Sequence, residues 1–143
     1  MTIVNGKNKT EQKVVRVAAA IIQQGDCFLL SKRLDHLHQG GKWEFPGGKI
    51  ELNETVSAAL VRELQEELGI DVQSSEELTV LEHDYPHAYV RLYVSIIRDW
   101  KGAPIGREGQ ALSWEFISAQ APSVGPLLPA AWPMLECLRR SLA

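Results

Sequence analysis

The stretch GKIELNETVSAALVRELQEELGI, residues 48 to 70, changes character at Thr55. Before it, the Gly and Pro content of LDHLHQGGKWEFPGGK breaks any regular element. After it, Val56, Ala59, Leu60, Leu64 and Leu68 recur at intervals of three and four, the pattern of a helix with one apolar face. Thr55 is a residue type that caps a helix start, and Gly69 one that ends it in the left-handed conformation. These signals predict a helix over about 55 to 68. Along it, Glu63, Glu66 and Glu67 fall within an arc of about 100°. Glu63 and Glu67 lie on the wheel between Ala59 and Leu60, so two carboxylates follow the stripe expected to meet the core. Like charges at this spacing cost only ~0.2–0.5 kcal/mol per pair, so a solvated charged face with Arg62 paired to Glu66 is one explanation. A hard divalent cation gathering the carboxylates is the other, because Mg²⁺ prefers oxygen ligands, usually a few carboxylates together with substrate phosphates.

On the N-terminal side, VVRVAAAII, the turn signal QQGD and CFLLSKR read as two strands joined by a short turn, the first apolar enough to be buried on both faces. Between them and the helix, LDHLHQGGKWEFPGGK carries enough Gly and Pro to predict a loop without regular structure, long enough to suggest a functional role. Beyond the helix, strands are expected at about 77 to 84, 89 to 98 and 111 to 117, with GAPIGREGQ as a loop before the last. A second helix is expected at about 130 to 141, after the Pro-rich LLPAAWP. Residues 1 to 13, polar and aperiodic, are expected to form a loose tail. Strands with two intervening helices predict an α/β fold with a mixed sheet covered on its faces, in a single domain over 1 to 143.

Composition narrows the function classes. With 143 residues, 45% hydrophobic and 23% charged, the chain can bury one ordinary core. A net charge of −3 gives no basic field, so no stable nucleic-acid partner is expected. The longest aliphatic run, VAAAII, is far short of the ~20 residues of a membrane span, and no charged-then-apolar leader opens the chain; the expectation is a cytoplasmic protein with no membrane partner. Cys27 and Cys137 are far apart and not in a CxxC arrangement, which predicts reduced, packed thiols and neither a disulfide framework nor a zinc site. Trp43, Trp100, Trp114 and Trp132 are expected in the core and not as base-stacking platforms.

Residues 48 to 70 also fit a spaced pattern at every position: Gly, five residues, Glu, seven residues, Arg-Glu-apolar-x-Glu-Glu-x-Gly-apolar. At ~7% for each fixed letter and ~30% for each apolar one, a chance match in the chain is on the order of 10⁻⁷. The pattern resembles the signature of the Nudix hydrolase family, a loop-helix-loop that holds Mg²⁺ against a diphosphate. VAAAII, SKR, WEFPGGKIE, RELQEELGI and the later REGQ are similar to the branch named for the mutator protein MutT, so the likeness covers residues 14 to about 138. It implies a Nudix-type α/β/α sandwich, in agreement with the order of elements.

The resemblance implies roles residue by residue. Glu63, Glu66 and Glu67 match the family's metal carboxylates, with the carbonyl of Gly47 as a further ligand. Gly47 and Gly48 carry no side chain, so backbone can approach a cation or phosphate closely there. Glu108, in GREGQ, matches a distal carboxylate that binds metal or acts as base. Glu54 and Arg62 match the pair that braces the loop and orients the catalytic glutamate. Arg33, His38 and the segment Glu44-Phe45-Pro46-Gly47 match positions lining the nucleotide, and the guanidinium fork suits a phosphate or a base carbonyl. Either Glu63 or Glu108 can take the proton from water, since the deciding burial and partners are not readable in sequence. Mg²⁺, or Mn²⁺ as a substitute, would position the diphosphate and lower the pKa of the attacking water.

The implied activity is a monomeric pyrophosphohydrolase of small nucleotides, NTP plus water giving NMP plus pyrophosphate, with 8-oxo-dGTP the first candidate and CTP or another pyrimidine nucleotide the second. Two departures bear on that choice. Ala131 stands where the oxidised-guanine enzymes place an asparagine that reads the purine edge, and Ala88 where an arginine contacts the nucleotide. Loss of hydrogen-bonding partners lowers discrimination steeply. An ADP-ribose or dinucleoside polyphosphate hydrolase and a non-catalytic nucleotide-binding module are further alternatives. The complete set Glu54, Arg62, Glu63, Glu66 and Glu67 speaks against the last.

Overall fold

The computed structural model describes residues 13–143, so the loose tail expected over 1 to 13 lies, apart from Lys13, outside the described residues. In chain order the elements are β1 (Val14–Gln24), β2 (Cys27–Lys32), β3 (Trp43–Glu44), β4 (Gly47–Lys49), α1 (Val56–Leu68), β5 (Asp71–Asp84), β6 (Tyr89–Lys101), β7 (Leu112–Phe116) and α2 (Ala131–Leu142).

The alternation of side chains along β1 organises the molecule. Ala18, Ala20 and Ile22 face one side and meet Ala59, Leu60, Leu64 and Leu68 of α1; Ala19 and Ile21 face the other and meet Met134, Leu135 and Leu138 of α2. A strand apolar on both faces belongs between two layers, and β1 lies there, parallel to β6 from Val14 opposite Tyr89 to Ile22 opposite Ile97. The seven-stranded mixed sheet runs β3-β2-β1-β6-β5, with β4 also paired to β1 and β7 to β2. One helix on each face makes the expected α/β/α sandwich.

Three expectations about elements change. The segment expected to be an irregular loop holds β3 and β4, because two or three extended residues suffice to pair with β2 and β1, as Lys32 does opposite Trp43 and Ala18 opposite Gly48. β5 begins at Asp71, earlier than its apolar alternation suggests: residues 71 to 76 are mostly polar and exposed, on an edge strand with register shifts that one-sided burial tolerates. None of the four tryptophans is fully buried; Trp114 and Trp132 are exposed, while Trp100 stacks on Trp114 with ring centroids 6.4 Å apart. Cys27 and Cys137 are free and half-buried, as expected of packed thiols. Among the described residues no helix is long and apolar enough to cross a membrane.

Candidate active site

The helix α1 starts and stops on the signals in its sequence: Thr55 Oγ1 accepts from Ala58 N at 3.0 Å, and Gly69 closes the helix at φ 71°. That fixes the rotation of the helix, burying Ala59, Leu60, Leu64 and Leu68 and setting Glu63 and Glu67 at the rim of the buried stripe. Glu66, with its side chain 59% exposed, stands outside that rim, and its nearest cationic partner is Arg62 at 3.6 Å.

Arg62 ties the preceding loop to the helix. Its Nε and one terminal nitrogen donate to both oxygens of Glu54, at 2.7 and 2.8 Å, the same terminal nitrogen to the carbonyl of Lys49 at 3.0 Å, and the other to Glu63 Oε2 at 2.9 Å. Glu54 also accepts from Glu51 N at 2.9 Å. The hydrogen bond from Arg62 first, then that backbone amide, hold the Glu54 carboxyl at about 2, while Glu54 and Glu63 raise the already high value of Arg62. A guanidinium fork satisfied in this way is rigid, and Lys could not reproduce it.

Glycine lets the loop approach the carboxylates. A Cβ on Gly48 would stand 2.3 Å from the Glu63 carboxyl carbon, and one on Gly47, at φ 151°, would lie 2.0 Å from the carbonyl oxygen of Ala18. Gly47 N donates to Glu67 Oε1 at 3.4 Å. Burial first, then a hydrogen bond with Glu63 and the charges of Glu63 and Glu108, push the Glu67 carboxyl up to about 9. A carboxyl group raised by burial and by neighbouring carboxylates marks a place short of positive charge. An all-oxygen set of this kind suits a hard divalent cation. Among the described residues, no three Asp, Glu, His or Cys side chains already form a closed ligand group.

Beside these carboxylates lies a cavity of about 350 Å³, lined by Glu67, Glu108, Gly47 and Gly48 and, further in, by Arg33, Glu44 and Phe45. Arg33 reaches Glu44 at 3.2 Å and the carbonyl of His38 at 3.0 Å. Burial raises the Glu44 carboxyl, against the pull of Arg33. Phe45 packs on Phe28 with centroids 5.4 Å apart. The far wall is apolar: Val90 and Leu92 of β6, Leu128, and Ala131 and Met134 of α2.

Of the residues singled out in the sequence, most therefore converge, and four do not. Glu66 stands exposed outside the cavity lining. His38 does not line the cavity and contributes its backbone carbonyl to Arg33. Pro46 is buried behind the wall, its carbonyl accepting from Ala20 N at 2.8 Å. Ala88 sits buried in the turn before β6, bonded through its backbone to Tyr85, so Val90 and Leu92, not position 88, line the cavity on this strand. Those two residues and Met134 were not anticipated as wall residues; the alternation in YVRLYV places 90 and 92 on one face but does not say that a cavity lies against it.

The comparisons with known proteins agree with this geometry. A family model described as NUDIX domain matches residues 12–140. The chain is 36% identical over 129 residues to the 8-oxo-dGTP diphosphatase of Escherichia coli strain K12, covering 90% of this chain and 98% of that one. It is 38% identical over 124 residues to the CTP pyrophosphohydrolase of the same organism, covering 87% and 90%. Among solved structures, the E. coli ORF135 protein superposes with a TM-score of 0.83 at 35% identity, covering 96% of both chains. A MutT NUDIX hydrolase from Burkholderia pseudomallei superposes with a TM-score of 0.79 at 27% identity, covering 89% of this chain and 99% of that one.

Proposed function

The chain belongs to the Nudix hydrolase family, enzymes that act on phosphoanhydride bonds, and from that premise we propose that it is a Mg²⁺-dependent nucleoside triphosphate pyrophosphohydrolase. The observation that carries the proposal is the linkage through Arg62, which joins Glu54, the Lys49 carbonyl and Glu63 beside a cavity bordered by Glu67 and Glu108. Glu63, Glu66, Glu67 and Glu108, with the carbonyl of Gly47, would hold the cation, and Mn²⁺ can replace Mg²⁺ on such oxygen ligands. The bound cation supplies charge neutralisation at the phosphates and a lowered pKa for the attacking water.

The chain's own groups do the rest. Arg62 fixes Glu63 through one carboxylate oxygen, and the carboxyl group lies against Gly48 and Glu67. Glu63 or Glu108 accepts the proton of the attacking water, the first from a position half sheltered against the loop, the second from the exposed rim. Arg33 and Glu44 orient the nucleoside end, and the apolar wall of Val90, Leu92 and Met134 removes the base from water.

The first candidate substrate is 8-oxo-dGTP, for which the E. coli relative is named, and the role is removal of damaged nucleotides from the cytoplasmic pool by a monomer. A pyrimidine nucleotide such as CTP is the second, favoured by one observation: Ala131 lines the cavity with no side-chain group to bond a purine edge. Pyrophosphate release from 8-oxo-dGTP, dGTP, CTP, dCTP, 5-methyl-dCTP and ADP-ribose, each with Mg²⁺ and ranked by kcat/KM, decides between them. Turnover of ADP-ribose alone, or of none of the six, would reject the proposal.

A further inference from the structure

The loop that carries Glu108 is fastened to the C-terminal end of α1. Ile105 N donates to the carbonyl of Leu68 at 3.0 Å, Arg107 N to that of Glu67 at 3.0 Å, and the Arg107 guanidinium to that of Gln65 at 2.9 Å. The Gln65 carbonyl also accepts from Gly69 N at 3.1 Å, whereas those of Glu67 and Leu68 are last-turn groups that the loop satisfies in place of water. All three bonds dock the loop as a whole, and none reaches the backbone of Glu108.

Gln110 does. Its Nε2 donates to the carbonyl of Glu67 at 3.0 Å, and its Oε1 accepts from the backbone N–H of Glu108 at 2.9 Å. The amide can sit only one way round, because one neighbour is a donor and the other an acceptor. The half-buried side chain is itself held: a Cβ on Gly106 would come within 3.1 Å of Gln110 Oε1, and Ala111, next in sequence, bonds through its carbonyl to Lys32 N at 2.9 Å. One planar group thus spans the backbones of the helix carboxylate residue and the loop carboxylate residue, and all three residues line the same cavity.

We propose that Gln110 is a positioning residue that sets Glu108 against Glu67, so that the loop carboxylate and the helix carboxylates bind one divalent cation together. The proposal rests on the reading of Glu108 as a metal ligand, and the test separates the two. Q110M keeps the length of the side chain and removes both hydrogen bonds; Q110N keeps the amide but is one methylene too short to hold both partners. Binding of Mn²⁺ alone, without nucleotide, is followed by electron paramagnetic resonance of the free ion, for the wild type, Q110M, Q110N, E108Q and the double variant E108Q/Q110M.

Q110M is expected to weaken Mn²⁺ binding by roughly tenfold to a hundredfold, the range for residues that orient ligands, and Q110N by less. In the E108Q background Q110M should have almost no further effect, because the carboxylate it positions is gone. A role confined to loop stability would instead lower Tm and add its full effect to that of E108Q. If E108Q weakens binding while Q110M leaves it unchanged, or adds to it in full, the proposal fails and Glu108 keeps its role. If E108Q binds Mn²⁺ as the wild type does, the reading of Glu108 fails and this proposal falls with it. Should Q110M not fold, Q110N read in the presence and absence of E108Q carries the same comparison.

Discussion

Glu67 combines two properties that separate under mutation. Its carboxyl is raised by burial and by neighbouring carboxylates, so in the absence of a cation the side chain works against its own ionisation. E67Q removes that conflict while keeping shape and the acceptor facing Gly47 N. In chelator its Tm should equal or exceed that of the wild type, whereas Mg²⁺-dependent pyrophosphate release should fall by more than the ~100-fold that changes behind the ligands reach; undiminished turnover would remove Glu67 from the site. The two glycines part in a similar way. A methyl on Gly47 meets the immobile backbone of Ala18 and adopts φ 151°, so G47A should lose about 1–3 kcal/mol from the backbone strain alone, before the clash is counted. A methyl on Gly48 meets only the end of the Glu63 side chain, which can move. G48A should therefore fold, with a smaller drop in Tm, and lose activity because Glu63 is displaced from Arg62.

The helix α1 was legible because its boundaries rest on local chemistry. Thr55, Gly69 and the spacing of Ala59, Leu60, Leu64 and Leu68 act within one turn of where they stand, and T55A should cost about 1 kcal/mol, or about 2–4 °C in Tm by calorimetry. The short strands β3 and β4 were not legible, since two residues of Trp43–Glu44 carry no periodicity and are extended only because β2 offers them partners. The early part of β5 escaped for the same reason: its pairing with β6 comes from the sheet, not from its polar sequence. The loop before α1 belongs to the helix through Glu54 and Arg62, and its energetics depend on pH in a definite direction. The Glu54 carboxyl falls from its ordinary 4.5 to about 2 on folding, so its contribution is complete above pH 4.5 and disappears as pH falls toward 2. Denaturant midpoints of the wild type and E54Q should differ at pH 6 and converge as pH falls below 4.5 toward 2. A difference that stays constant across that window would show that the pair does not carry the effect.

The reaction and the substrate were legible to different degrees because they are written in different parts of the molecule. Glu54, Arg62, Glu63, Glu66, Glu67 and the two glycines lie within one continuous stretch, where the resemblance to the family signature could be read, while Glu108 lies in a separate loop. The wall proposed to bind the base is assembled from β2, β6, the segment before α2 and α2 itself, and only the fold shows that Val90, Leu92, Leu128 and Met134 meet across one cavity while His38, Pro46 and Ala88 stay outside its lining. That wall makes a quantitative prediction. A pocket that hydrogen-bonds its ligand rejects an analogue by ~10⁴–10⁵-fold, whereas an apolar one separates close analogues by only about 10–200-fold. Here the wall contributed by β6 and α2 offers no side-chain donor or acceptor, so the ratio of kcat/KM for 8-oxo-dGTP over dGTP should stay within the lower range. Ala131 is the first residue of α2 and lines the cavity, which places a new side chain there in reach of the bound base. A131N should raise that ratio by roughly threefold to tenfold, the value of one neutral hydrogen bond, while leaving hydrolysis of CTP equal or slower. If A131N slows all nucleotides by the same factor, the start of α2 does not read the base, and discrimination must reside with Arg33 and Glu44 on the opposite side of the cavity.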